Sequence, residues 1–195
     1  MGTWLFFAVI IAGLIYLVAI YNRLVSLRNR FKNAFAQIDV QLQRRHDLIP
    51  NLVSTAKAYL DHERETLTRV TEARNQAEGA RRDAAERPDD GAVMDRLGRA
   101  ESILSGSLSR LLAVSENYPE LKADRTMADL MEELAATENR IGFARQAFND
   151  AVMSYNTYRE QFPHNAVSGF FGPFKEAALL DIENPEARRA VHVAF

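Results

Sequence analysis

The chain contains no cysteine, which removes disulfides, thiolate metal sites, cysteine nucleophiles and lipid-linked cysteines together. Glycine and proline are scarce: nine and six of 195 residues, about 8%, where average usage is about 12%. So few breakers imply long uninterrupted elements. An excess of charge of one sign is also missing. The 24 Lys and Arg against 26 Asp and Glu leave a formal net charge of −2, which gives no reason to expect nucleic acid. Motifs that carry chemistry are lacking too. There is no G-x-x-x-x-G-K-[ST] loop to cradle phosphates and no G-x-S-x-G elbow, since Ser105-Gly106-Ser107 sits inside a helical stripe. His62-Glu63 opens an HExxH zinc pattern, but Thr66 stands where the second histidine would be. Glu132 and Glu133 are adjacent and point apart on a helix. The expectation is no enzyme, no cofactor and no metal.

What is present fits one ordinary domain, with 47% hydrophobic and 26% charged residues. Residues 1–22 hold no charged side chain, and Trp4 to Tyr21 reads WLFFAVIIAGLIYLVAIY. As a helix, Thr3 to Asn22 spans about 30 Å, the thickness of a bilayer's hydrocarbon core. Trp4 at one end and Tyr16 with Tyr21 towards the other suit the interfacial belts. A cleaved signal peptide would need a basic leading region and small residues before the cut, and Val18-Ala19-Ile20 is a poor site. The reading is a retained single-pass anchor. Arg23, Arg28, Arg30 and Lys32 follow it within ten residues, which places the amino terminus outside and residues 23–195 in the cytoplasm, at the inner membrane. Ala8 and Ala12 form a small-xxx-small pair, a weak signal for span pairing.

Beyond the span, heptad spacing appears in four blocks. Leu24, Leu27, Phe31, Ala34 and Ile38 form the first. Ile49, Val53, Ala56, Leu60, Leu67 and Val70 form the second, interrupted by Glu63. Val93, Leu97, Ala100, Leu104, Leu111, Val114 and Tyr118 form the third, interrupted by Ser107. Met127, Leu130, Leu134, Thr137, Ile141, Ala144, Phe148, Ala151, Tyr155, Tyr158 and Phe162 form the fourth and most regular. Glu86 to Gly91 is a polar turn, Tyr118-Pro119 stops the third helix, and Asp124 is placed to cap the fourth. Two readings stand at the first joint. Arg44, Arg45 and His46 complement a helix C-terminus with Asp47 capping a new helix that has Pro50 in its first turn, or Pro50 kinks one long helix.

Short turns make such helices antiparallel. The expected fold is all-α: a transmembrane helix (1–22) continuing into an elongated antiparallel bundle of about four helices (23–162), the first two joined at or kinked near Pro50. An aromatic loop and tail (163–195) follow. Phe162, Phe170, Phe171 and Phe174 gather there around Gly169, Gly172 and Pro173. They either fold back to cap the bundle or form a docking surface for membrane or another subunit. Val191, Val193 and Phe195 alternate with Ala190, His192 and Ala194, as a short strand or a frayed end.

Several phrases then resemble the LemA family of bacterial membrane proteins. They are Tyr21-Asn22 with Leu24, Val25 and Arg28; Ile38-Asp39-Val40-Gln41-Leu42 before Arg44-Arg45; and Asp47-Leu48-Ile49-Pro50-Asn51-Leu52-Val53. Tyr59, His62-Glu63, Leu67, Val70, Ala73 and Arg74 follow, then Tyr118-Pro119 with Leu121-Lys122-Ala123. Glu138-Asn139-Arg140-Ile141, Ala144-Arg145, Asn149, Val152 and Tyr155-Asn156 complete a match from residue 21 to about 174. The resemblance implies an N-terminal span, an antiparallel helical bundle and no established catalysis, with a relative that takes part in building bacterial membrane organelles. Gly142 departs from the alanine expected there, at up to about 1 kcal/mol unless close packing uses it.

One constellation rises above background. Glu138, Gly142, Arg145, Asn149, Val152 and Asn156 repeat the 4-3 spacing one position off the fourth stripe, with Tyr155 beside them. The first joint carries Asp39, Arg44, Arg45, Asp47 and Asn51, so an Arg145 pair with Asp39 or Asp47 would fix register. The alternative is a solvated face with i,i+4 pairs. The leading functional expectation is a non-enzymatic, membrane-anchored scaffold that self-assembles and organises or shapes the bacterial membrane, with the lipid bilayer and further copies of itself as partners. The second is a membrane-tethered adaptor presenting its bundle to another membrane protein such as a protease or sensor.

Overall fold

A computed structural model describes residues 2–60, 62–172 and 174–182. Helix α1 (Gly2–Lys57) is followed by α2 (Arg64–Glu86), α3 (Gly91–Ser115), the short α4 (Pro119–Ala123), α5 (Arg125–Glu160) and α6 (His164–Phe170). No strand occurs among the described residues, so the molecule is all-α. The alternating tail 190–195 lies outside the described residues.

Helix α1 has 56 residues and is about 84 Å long at 1.5 Å per residue. Its two ends obey different rules. From Trp4 to Val18 every large side chain is exposed, whereas from Ile20 one stripe is buried: Leu24, Leu27, Phe31, Phe35, Ile38, Leu42, then Arg45, His46, Ile49, Leu52 and Ala56. The first part is long and apolar enough to cross a membrane. The second is the central helix of the bundle.

Helix α1 continues through Pro50 to Lys57. Neither Asp47 nor Pro50 starts a new helix, and Arg44, Arg45 and His46 lie in the middle of one rather than at its end. Proline removes an N–H that would have bonded the carbonyl four residues back, that of His46. Arg74 on α2 replaces it, with Nε donating to the His46 carbonyl at 3.2 Å. A donor from a neighbouring helix thus satisfies the orphan acceptor and keeps the helix running.

The chain turns instead at 58–63. Ala58, Tyr59 and Leu60 close that turn onto the carbonyls of Thr55 and Ala56. The second apolar stripe therefore belongs to two helices. Ile49, Val53 and Ala56 end α1, Leu60 is buried in the turn, and Leu67 and Val70 begin α2. At the distal tip the Tyr59 hydroxyl donates to Asp124 at 2.9 Å, and Asp124 caps α5 by accepting from Met127 N, also at 2.9 Å. Asp90 caps α3 through Ala92 N and Val93 N.

The four long helices run up, down, up and down. Helix α1 packs on α5 through Phe31, Phe35, Phe148 and Tyr155, whose rings meet at tilted or edge-on angles with centroids 5.2 to 6.3 Å apart. Helix α2 presents a stripe of small residues, Ala73, Ala77, Ala80 and Ala84, against the larger Met94, Leu97, Leu104, Leu108 and Leu111 of α3. Past α6 the chain runs back up the bundle as an extended strap, 174–182, which buries Phe174, Ala177, Leu180 and Ile182.

Candidate functional site

Charge collects in the middle of the bundle, among the apolar stripes. His46 and Glu101 are both 0% exposed. His46 Nδ1 lies 2.9 Å from Glu78 Oε2 on α2, and its Nε2 lies 2.9 Å from Glu101 Oε1 on α3. A carboxylate only accepts, so filling both contacts needs a proton on each ring nitrogen, or one on a carboxyl. Arg45, next to His46 and buried, donates to Glu101 Oε2 at 3.3 Å and to Ser105 Oγ at 2.7 Å, and its Nη1 lies 3.3 Å from Glu138 on α5. One turn of α1 thereby holds α2, α3 and α5.

Glu78 is saturated. Its Oε2 accepts from His46 and from Arg81 Nε at 3.1 Å, and its Oε1 from Arg81 Nη2 at 3.1 Å and Arg82 Nε at 2.8 Å. The Arg81 hydrogen bonds, helped by His46 and Arg82 and opposed by burial, pull its carboxyl down to about 2. Arg81 also donates to Asp39, seven residues before His46 on α1. Arg74, Glu78 and Arg81 are thus a ladder down one edge of α2, each rung on α1. His46 and Glu101 are sealed from solvent, whereas Arg45 and Glu138 border an open groove between α3 and α5. What the cluster does is lock register: four helices must be aligned for every partner to be found.

The polar seam of α5 has a different partner from the one expected. Arg145 does not reach Asp39 or Asp47; its Nη1 donates to the Ile182 carbonyl at 2.7 Å. Asp39 is taken by Arg81, and Asp47 is exposed on α1. The side-chain amides of Asn149 and Asn156 each make a paired contact with the strap backbone. Asn149 accepts from Leu180 N at 2.9 Å and donates to its carbonyl at 3.2 Å. Asn156 does the same with Ala177 at 3.0 and 2.8 Å. The Tyr155 hydroxyl donates to the Lys175 carbonyl at 2.9 Å.

The spacing explains the fit. Seven helical residues advance about 10.5 Å, and three extended residues advance about 10 Å. Two asparagines a heptad apart can therefore read strap positions three residues apart, Ala177 and Leu180. The seam is a side-chain substitute for a neighbouring strand and not a solvated face. On the strap's other side, a Cβ on Gly98 of α3 would collide with the Asp181 carbonyl, so glycine there lets the strap lie close. A Cβ on Gly142 would meet nothing, so close packing does not account for that glycine.

The remaining candidates scatter. Arg44 pairs with Glu133 at 2.6 Å on the bundle surface, and Asn51 and Pro50 are exposed. Phe174 folds back onto Tyr21, while Phe170 and Phe171 stay exposed. Sequence reasoning missed Arg74, Glu78, Arg81 and Glu101. Three of the four had a usable signal, because Arg74, Glu78 and Arg81 repeat the 4-3 spacing one position off the alanine stripe, as the α5 seam does off its own.

Comparison with known proteins matches these features to one group. Two magnetosome proteins, MamQ 2 and MamQ 1 of Paramagnetospirillum magneticum, are each 27% identical over 183 residues, covering 86% of this chain and 67% of theirs. The protein LemA of Metamycoplasma hominis is 23% identical over 167 residues, covering 85% of this chain and 72% of its own. These relatives and the long apolar helix together mark a membrane-associated protein. The LemA family model matches residues 34–195, which takes in the ladder, the buried His46 and Glu101, and the strap with its seam; the chain belongs to the LemA family.

Proposed function

We propose that this protein is a non-enzymatic, membrane-anchored helical scaffold that self-assembles and organises or shapes the bacterial membrane. The observation that carries the reading is the continuity of α1. One unbroken helix is membrane-spanning at its start and the core of the bundle at its end, so the bundle's direction is coupled rigidly to the span. The buried charges and the strap serve the same end by holding the bundle in one register. The basic residues after the span, Arg23, Arg30 and their neighbours, support a cytoplasmic bundle and an outer amino terminus. Membership in a family with magnetosome proteins agrees with a role at membranes.

The test is the particle mass of the full-length protein in nanodiscs or mild detergent, with images of the same sample. A closed ring or cage of many copies supports the scaffold, and a monomer or dimer contradicts it. The adaptor reading has one observation of its own. An open groove of about 480 Å³ at the distal tip has Val53, Leu60 and Leu67 in its lining, with Lys57, Arg64 and Glu72 as its charged residues. For the adaptor, crosslinking in cells would join residues of that groove to a second membrane protein.

A further inference from the structure

The end of the bundle nearest the apolar segment carries rings that face away from the protein. Phe162, Phe170 and Phe171 are 85%, 88% and 62% exposed, whereas Phe174 is buried against Tyr21, with ring centroids 5.3 Å apart. Their height is set by α1. Ile20 lies inside the uncharged run and is nonetheless buried by the bundle. Helix α6 packs on both α1 and α5, and His164 at its start stacks on Tyr158 with centroids 4.0 Å apart. The base of the bundle therefore overlaps the last turns of the apolar segment rather than standing clear of it.

Composition agrees with that position. Gln161 to Phe174 contains no Asp, Glu, Lys or Arg, although charged residues make up 26% of the chain, a share that would place three or four among these 14. Arg159 and Glu160 stand before the stretch, and Lys175 and Glu176 after it. Exposed rings without charges, at the level where an apolar helix leaves the hydrocarbon, match the aromatic zone of a lipid interface. A second copy of the chain would also cover rings, but it gives no reason for the rings to sit at this height.

We propose that Phe162, Phe170 and Phe171 form a foot that enters the lipid interface beside α1. The protein then holds the bilayer at two places, and the bundle stands at a set angle to the membrane. The inference rests on α1 spanning the bilayer, and its test separates the two. Phe170→Trp, with Phe171→Trp as a second variant, is made in a Trp4→Phe background of the full chain. Each variant is reconstituted in vesicles whose lipids are brominated at shallow acyl positions. Wild-type Trp4, the sole native tryptophan, reports on the span, and Phe143→Trp in the same background, exposed on the side of α5, reports on water.

The foot predicts loss of emission at 170 and 171 on bromination, together with loss at Trp4 and none at 143. Quenching at Trp4 without quenching at 170 or 171 overturns the foot and leaves the span standing. Blue-shifted emission at 170 that ignores bromine would place a second copy there and also overturn it. No quenching at Trp4 removes the span and the foot with it.

Discussion

Arg74 of α2 donates to the His46 carbonyl of α1, the acceptor that Pro50 leaves without its helical partner. A proline inside a helix ordinarily costs about 3 kcal/mol or more through the lost bond and the ring's clash. Here a side chain from another helix fills the vacancy, and the same His46 carries the ring held between Glu78 and Glu101. The turn that Pro50 threatens is thus tied to α2 and α3 through His46.

The pairing makes Arg74 conditional on Pro50. Arg74→Ala should lower the unfolding free energy of the full-length protein in detergent by about 1–3 kcal/mol, the cost of an unsatisfied buried acceptor. In a Pro50→Ala background the backbone N–H returns and the same substitution should cost clearly less. A double-mutant cycle followed by circular dichroism reads the difference.

Glu101 is fully buried, accepts from the Arg45 guanidinium and pairs with the His46 ring, so removing it leaves both without that partner. Glu101→Ala should cost about 3–5 kcal/mol, and Glu101→Gln, which keeps one oxygen, should cost less. Glu65→Ala, at an exposed i,i+4 pair with Arg69, should change stability by no more than about 0.5 kcal/mol.

Acid should weaken the bundle over a defined window. The Glu78 carboxyl is lowered from 4.5 to about 2 on folding. A group with a depressed folded value contributes fully above its unfolded value and loses that contribution as pH falls through the folded one. Stability should therefore decline between about pH 4.5 and pH 2, by on the order of 3 kcal/mol from this group. Unfolding curves across that range should be flatter for Glu78→Gln.

Two glycines should respond in opposite directions. Gly142→Ala meets open space and should stabilise α5 by up to about 1 kcal/mol. Gly98→Ala pushes against the Asp181 carbonyl and should loosen the strap. Hydrogen exchange at Ala177 and Leu180, whose amides bond Asn156 and Asn149, should accelerate in Gly98→Ala and in the Asn149→Ala, Asn156→Ala pair.

Much of this architecture was legible. The apolar run, the regular stripe of α5, the turn at 86–91 and the Asp124 cap all follow from local spacing and turn chemistry. The turn at 58–63 was hidden because it holds neither Gly nor Pro, and because Leu60 and Leu67 keep the heptad count across it; Glu63, which breaks the stripe, was its one mark. Pro50 was ambiguous because its compensation comes from Arg74, 24 residues later, and no local pattern shows that donor. The seam on α5 was visible, but its occupant was not, since an extended strap has no periodicity that points to two asparagines on a helix.

Helix α1 runs unbroken through Pro50, and the coupling of the bundle to the apolar segment depends on it. The absence of cysteine allows labels to be placed without background. Ser26→Cys and Ser54→Cys put spin labels at two exposed positions of α1 on either side of the joint. Pulsed electron spin resonance on the full-length protein in nanodiscs then measures their separation. A continuous helix predicts a single narrow distribution near about 42 Å, from 28 residues at 1.5 Å each. A distribution centred near about 25 Å, as a helix reversing at Asp47 would give, would contradict the account.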